Sequence, residues 1–177
     1  MNILTILGSL RKGSINRMIL QEAMALAPKT MTFDASDISQ FPLYNQDMEN
    51  VGIPNVVLHF KEQIRQADGL LFATPEYNYS MPGVLKNAID WASRPPKDNS
   101  FNGKPCAIMT AGTGMGGGAK AQYHFRQSCV FVNLIPMNKP EIVIPKAMEK
   151  FDANGTLSDE VTMKKLIEFM ASFQQWV

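Results

Sequence analysis

Short apolar runs that end at polar or glycine-rich segments constrain the fold of this chain more than any other feature. The run at residues 69–73, GLLFA, has a wholly apolar centre. Such a centre is typical of strands that are buried on both faces of a parallel sheet. We predict strands at residues 2–7, 31–33, 69–73, 106–111 and 141–144.

Segments with helical periodicity separate these runs. Ile15, Ile19 and Ala23 share one face of a predicted helix that Pro28 ends, and Pro54 suits the first turn of another. We predict further helices at about residues 82–91, at about 119–131 and from 158 onward, and a long loop at 35–52.

The alternation of five strands with five helices predicts right-handed crossovers and a parallel sheet with helices on both faces. A chain of 177 residues has the usual size of one domain. We therefore expect residues 1–177 to form a single flavodoxin-like α/β domain. It would be a three-layer sandwich whose five parallel strands lie in the order 2-1-3-4-5.

Charge and hydropathy exclude several classes of protein. The 17 basic and 16 acidic residues leave a net charge of +1, which argues against a dedicated nucleic-acid-binding protein. No apolar run approaches the roughly 20 residues that cross a bilayer, so membrane insertion is not expected. The apolar N-terminal stretch lacks the basic region and cleavage site of a signal peptide.

The two cysteines and two histidines have no spacing typical of a disulfide framework or a metal site. Cys106 and Cys129 form no CxxC motif, and His59 and His124 do not stand in a ligand pattern with them. We expect buried cysteines, a reducing cytoplasmic location and no bound metal. The sequence leaves the roles of these four residues open.

A ligand of such a sheet binds beyond the carboxyl ends of the strands, where the strand order reverses. For the order 2-1-3-4-5 this point lies between strands 1 and 3. The loops after the predicted strands 1, 3 and 4 are also the most unusual in composition. We therefore expect the functional site where these three loops meet.

The first of these loops has the composition of a site for one terminal phosphate. It leads into a predicted helix N-terminus, whose free N–H groups and dipole attract an anion. Arg11 adds a planar cationic fork, and the hydroxyl and amide side chains add neutral donors. The alternative is that Ser14 only caps the helix and that Arg11 is solvated. The candidate binding residues are Ser9, Arg11, Ser14, Ile15 and Asn16.

The second loop is a stiff and aromatic segment. Its tyrosine rings can pack on a planar heterocycle, while Asn78 and backbone amides can bind the polar edge of that ring. The alternative for the tyrosines is ordinary loop packing, and Glu76 could cap a helix or form a salt bridge. The candidate residues are Pro75, Glu76, Tyr77, Asn78, Tyr79 and Ser80.

The third loop, residues 112–118, formally matches the dinucleotide pattern G-x-G-x-x-G. It follows the fourth strand rather than the first, and the nearest acidic candidate, Glu141, lies 29 residues beyond Gly112 rather than about 20. We predict instead that Gly112, Gly114 and Gly116 let a flat ring approach the backbone. A flat ring, one phosphate and this fold together point to FMN.

Two ungapped motifs carry a resemblance to a known family. Residues 8–16 match G-S-x-R-x-x-S-x-N, and residues 75–91 match P-E-Y-N-x-S-x-P-G-x-L-K-N-A-x-D-W. The chain resembles the NADPH-dependent FMN reductases, a family that includes quinone, chromate and azo-dye reductases. The resemblance covers essentially the whole chain.

The resemblance implies that NADPH or NADH donates a hydride to bound FMN, which passes it to a small-molecule acceptor such as a quinone or a flavin. Chromate and azo compounds are further possible acceptors. It implies a ping-pong mechanism, no catalytic side chain, and a homodimer or homotetramer. A flavodoxin-type electron carrier and a flavin-binding regulatory protein remain alternative functions.

Overall fold

A parallel sheet forms the centre of the computed structural model, which describes residues 1–177. Its main strands are β1 (Asn2–Leu7), β2 (Thr32–Ala35), β3 (Gly69–Thr74) and β4 (Pro105–Ala111). The strand order β2-β1-β3-β4-β5 confirms the predicted topology. All six residues of β3 are buried, as its apolar composition predicts for a central strand.

Two short segments occupy the fifth strand position. β5 (Ile135–Pro136) pairs with the start of β4, and β6 (Ile142–Ile144) pairs with its end. The prediction of one strand at 141–144 locates β6 and misses β5. A two-residue strand carries no periodicity, so its pairing depends on the position of β4.

Five long helices confirm the predicted alternation: α1 (Ile15–Ala25), α3 (Asn55–Gln66), α4 (Gly83–Ala92), α5 (Ala119–Val132) and α6 (Glu160–Trp176). The predicted loop at 35–52 also contains a short helix, α2 (Gln46–Val51), which Asn45 caps. No residue of α2 is buried. It therefore has no apolar stripe from which periodicity could predict it.

The sheet separates two apolar cores. Leu70 and Phe72 of β3 face the core that α3, α4 and α5 cover. Their neighbours Leu71 and Ala73 face the core under α1 and α6. The alternation follows from the two-residue period of a strand, and burial on both sides explains why the run is apolar throughout.

Both cysteines are free and lie in the first of these cores, on β4 and α5. A hydrogen bond with Cys129, together with burial, raises the pKa of the Cys106 thiol well above its ordinary value. The Cys106 thiol is therefore held protonated and behaves as a small apolar group. No helix combines the length and the apolar character that crossing a membrane requires.

Candidate flavin site

A cavity of about 310 Å³ opens at the carboxyl edge of the sheet, at the reversal of strand order between β1 and β3. The loops after β1, β3 and β4 all contribute to its lining. Among the residues predicted for the site, those that line it are Ser9, Arg11, Ser14, Ile15, Asn16, Pro75, Glu76, Tyr77, Gly112, Gly114 and Gly116. Asn78, Tyr79 and Ser80 are not part of the lining and belong to an adjacent turn.

The N-terminus of α1 faces this cavity. Ser14 caps the helix, because its Oγ accepts a hydrogen bond of 3.3 Å from the backbone N–H of Arg17. Ser14 therefore caps α1 and also lines the cavity, and capping leaves other N–H groups of the first turn free. Ser9 is buried against the cavity, while Arg11 is exposed at its edge.

Asn16 joins the first loop to the end of β4. Its side-chain amide donates to the carbonyl of Ala111 and accepts from the N–H of Ala111, both at 2.9 Å, and it is buried. The sequence predicts a ligand donor at this position. The structure shows that the amide oxygen and one of the two side-chain N–H groups already hold the site together.

Close backbone approaches explain the third loop. A Cβ on Gly117, whose φ is +56°, would lie 2.8 Å from the backbone of Ile144 and Pro145. A Cβ on Gly118, whose φ is +90°, would lie 2.7 Å from Cβ of Thr110. Open space surrounds Gly114 and Gly116 instead. The first pair is therefore required for packing, whereas the second leaves room for a flat ligand.

The second loop is anchored to α5. Glu76 accepts hydrogen bonds from the backbone N–H groups of Lys120 and Ala121, at 3.0 and 3.2 Å, so it caps the N-terminus of α5. The capping alternative for Glu76 is thus the one observed. Tyr77 is 47% exposed and lines the cavity, where its ring is available to a ligand.

His124 also contacts the second loop, and no pattern in the sequence predicts this contact. Its Nδ1 lies 2.6 Å from Oγ of Ser80. His59 is instead exposed on α3 and lines a separate cavity. One of the two histidines therefore belongs to the surroundings of the site and the other does not.

The residues of the cavity fit a mononucleotide with one phosphate and a planar ring. The helix N-terminus and Arg11 supply positive potential to the cavity. Gly114 and Gly116 line it with open space at their Cβ positions, and the ring of Tyr77 lines it as well. The fold and this cavity together define an α/β protein of the flavodoxin-like class with a candidate site for flavin mononucleotide.

Comparison with known proteins agrees with this class. A model of the NADPH-dependent FMN reductase family matches residues 1–149, and the chain belongs to this family of FMN-dependent oxidoreductases. An NAD(P)H-dependent FMN reductase of Pseudomonas aeruginosa is 54% identical over 175 residues, which are 99% of this chain and 94% of that protein.

The names of two further relatives describe reduction of an electron acceptor. A 2-hydroxy-1,4-benzoquinone reductase of a Burkholderia species is 45% identical over 177 residues, which are 100% of this chain and 96% of that protein. The solved structure of FerB, a flavoenzyme NAD(P)H:(acceptor) oxidoreductase from Paracoccus denitrificans, superposes with a TM-score of 0.92. That comparison has 38% identity and covers 99% of this chain and 96% of FerB.

Proposed function

We propose that this chain is an FMN-dependent NAD(P)H:quinone oxidoreductase. The observation that carries the proposal is the cavity in which a cationic helix N-terminus meets a glycine loop with open space at Gly114 and Gly116. The similarity to a benzoquinone reductase supports a quinone as the acceptor.

The chain's own residues bind and orient the cofactor. Arg11, Ser9 and the N–H groups at the start of α1 hold the phosphate, because all of them carry hydrogen-bond donors and belong to residues that line the cavity. Residues 75–77 and the glycines 112, 114 and 116 border the ring. The flavin, when bound, accepts a hydride from NAD(P)H and passes it to the acceptor.

An adjoining cavity of about 460 Å³ shares Arg11 and Tyr77 with the flavin site. Leu10, Pro82 and Val84 give it an apolar wall that suits an aromatic acceptor. No carboxyl, thiol or imidazole group lines it. We therefore infer that water or the hydroxyl of Tyr77 supplies the proton that a reduced quinone requires and that the chain otherwise contributes orientation.

We also propose a homodimer or homotetramer in the cytoplasm. Large apolar side chains are unusually exposed, with Leu43 81%, Val51 92% and Phe131 85% accessible. Exposed apolar surface of this kind supports association with further copies of the chain. Two free, buried cysteines are consistent with a reducing compartment.

The test is to identify the bound flavin and then to measure turnover. We expect the purified protein to release FMN rather than FAD on denaturation. Chromatography of the released flavin measures this. It should also oxidise NADPH or NADH when a benzoquinone is supplied. Release of mainly FAD would contradict the single-phosphate site. Bound FMN without NAD(P)H oxidation would favour an electron carrier or a regulatory protein.

A further inference from the structure

The turn at residues 77–80, which adjoins the flavin site, has a strained backbone. Tyr77 and Ser80 exchange backbone hydrogen bonds of 2.9 and 3.0 Å, which close a tight turn. Its central residues, Asn78 and Tyr79, have φ values of +51° and +66°. Asparagine tolerates this left-handed conformation, but the second position of such a turn favours glycine, and tyrosine is disfavoured there. The turn therefore depends on contacts from outside.

Helix α5 supplies those contacts from one face. The Lys120 Nζ lies 3.2 Å from the centroid of the Tyr79 ring, a cation–π contact. One helical turn later, His124 Nδ1 lies 2.6 Å from Oγ of Ser80. The carboxylate of Glu76, just before the turn, accepts from the first N–H groups of the same helix. Three independent contacts thus attach the strained turn to α5.

We propose that Lys120 and His124 are positioning residues that hold this turn in its binding conformation before the flavin arrives. The proposal rests on the proposed function, because it assigns FMN to the cavity that Tyr77 lines. Neither Lys120 nor His124 lines that cavity, so each acts only through the turn.

Preorganisation has a measurable consequence for affinity. If a contact keeps the turn in the competent conformation, its removal lowers the competent fraction, and the apparent dissociation constant rises by the same factor. If the turn has the same conformation without the contact, the affinity does not change. Flavin affinity therefore separates a positioning role from a merely structural one.

The first experiment is a double-mutant cycle on Lys120 and Tyr79. Lys120→Met should raise the FMN dissociation constant of the apoprotein about two- to fivefold, the factor that an exposed cation–π contact supplies. Tyr79→Gly removes both the aromatic partner and the strain, so Lys120→Met should have no further effect in that background. Lys165→Met, which removes an exposed lysine from α6, is the matched control and should leave the affinity unchanged.

A second cycle tests His124 through the Ser80 hydroxyl. His124→Ala and Ser80→Ala each remove the same hydrogen bond, so each should raise the dissociation constant about two- to tenfold. The FMN dissociation constant of the double variant should be no higher than that of the weaker-binding single variant. Additive losses would mean that His124 does not act through Ser80 and would overturn its assigned role.

Amide hydrogen exchange of Tyr77 and Ser80 in the apoprotein provides a readout without flavin. We expect Lys120→Met to accelerate this exchange and to weaken FMN binding together. Unchanged exchange, or faster exchange with unchanged affinity, would overturn the proposal. Failure of the wild-type apoprotein to bind FMN at all would instead overturn the proposed function and any role of the turn in it. The exchange rates would still report whether α5 holds the turn.

Discussion

Arg11 is an exposed cation at the edge of the flavin cavity, and it takes part in none of the six ion pairs of the structure. A guanidinium that no carboxylate neutralises is available to a phosphate. Its position beside the N-terminus of α1 adds its charge to the positive end of the helix dipole. We therefore propose Arg11 as the residue on which phosphate binding most depends.

We expect Arg11→Ala to weaken FMN binding about tenfold to over a hundredfold, because a charge-assisted hydrogen bond is worth about 1.5–3 kcal/mol. Titration of the apoprotein with FMN measures the change. Arg17→Ala is a matched control, since Arg17 is an exposed arginine of α1 that lines a different cavity. An equal loss in both variants would indicate general electrostatic attraction rather than a phosphate contact.

The glycine loop between β4 and α5 is the element whose backbone conformation is most restricted. Gly117→Ala should lower the free energy of unfolding by about 1–3 kcal/mol, because the new methyl group meets the backbone of Ile144 and Pro145 at positive φ. Chemical denaturation of the apoprotein measures this. Gly114→Ala is the control, since nothing lies within 4 Å of its Cβ position. Equal destabilisation by the two substitutions would show that this loop requires glycine for backbone flexibility rather than for close packing.

Helix α6 begins at a charged cap, which makes its stability depend on pH. Hydrogen bonds from the Thr162 side chain, from Lys150 and from the Thr162 backbone lower the pKa of Asp159 to about 2 from an ordinary 3.8. A carboxyl group with a lowered pKa in the folded state stabilises the protein when it is ionised. This stabilisation is complete above about pH 4 and is lost as the pH falls towards 2.

Asp159→Asn should therefore reduce stability at neutral pH, and the difference from the wild type should narrow between pH 4 and pH 2. Urea unfolding at a series of pH values measures both proteins. Other carboxyl groups titrate in the same range, but they are common to the two proteins and cancel in the difference. A difference that stays constant over this range would contradict the assigned role of the charge.

The whole molecule brings its three loops to one edge of the sheet, and this arrangement predicts the kinetic mechanism. In the proposed arrangement, a ring between residues 75–77 and the glycine loop has protein on one side and the cavity lined by Leu10, Pro82 and Val84 on the other. One opening cannot bind the nicotinamide and the quinone at the same time. We therefore expect ping-pong kinetics.

Double-reciprocal plots at several fixed quinone concentrations should be parallel, and excess quinone should compete with NAD(P)H. Steady-state assays with purified protein measure both effects. Intersecting lines would show a ternary complex, and the two substrates would then need separate binding sites.

The sequence by itself determined the features that depend on neighbouring residues. Strands and long helices follow from local burial periodicity, and the strand order follows from their alternation together with the length of the chain. The location of the site follows from that order, which brings the loops after β1, β3 and β4 together. The helix α2 and the strand β5 were missed, because an exposed helix and a two-residue strand leave no periodic pattern.

Only the tertiary structure decided the contacts between residues that are distant in the chain. Asn16 is expected to bind a ligand, and the structure adds that its amide oxygen and one side-chain N–H group pair with the backbone of Ala111, 95 residues away. Lys61 is fully buried and donates to the carbonyl groups of Arg94 and Asp98, while its ammonium lowers the pKa of the Asp98 carboxyl. Such partners are set by how helices and loops pack across the sheet. A local pattern of polar and apolar residues indicates which side chains are buried, but it does not indicate which residues they contact.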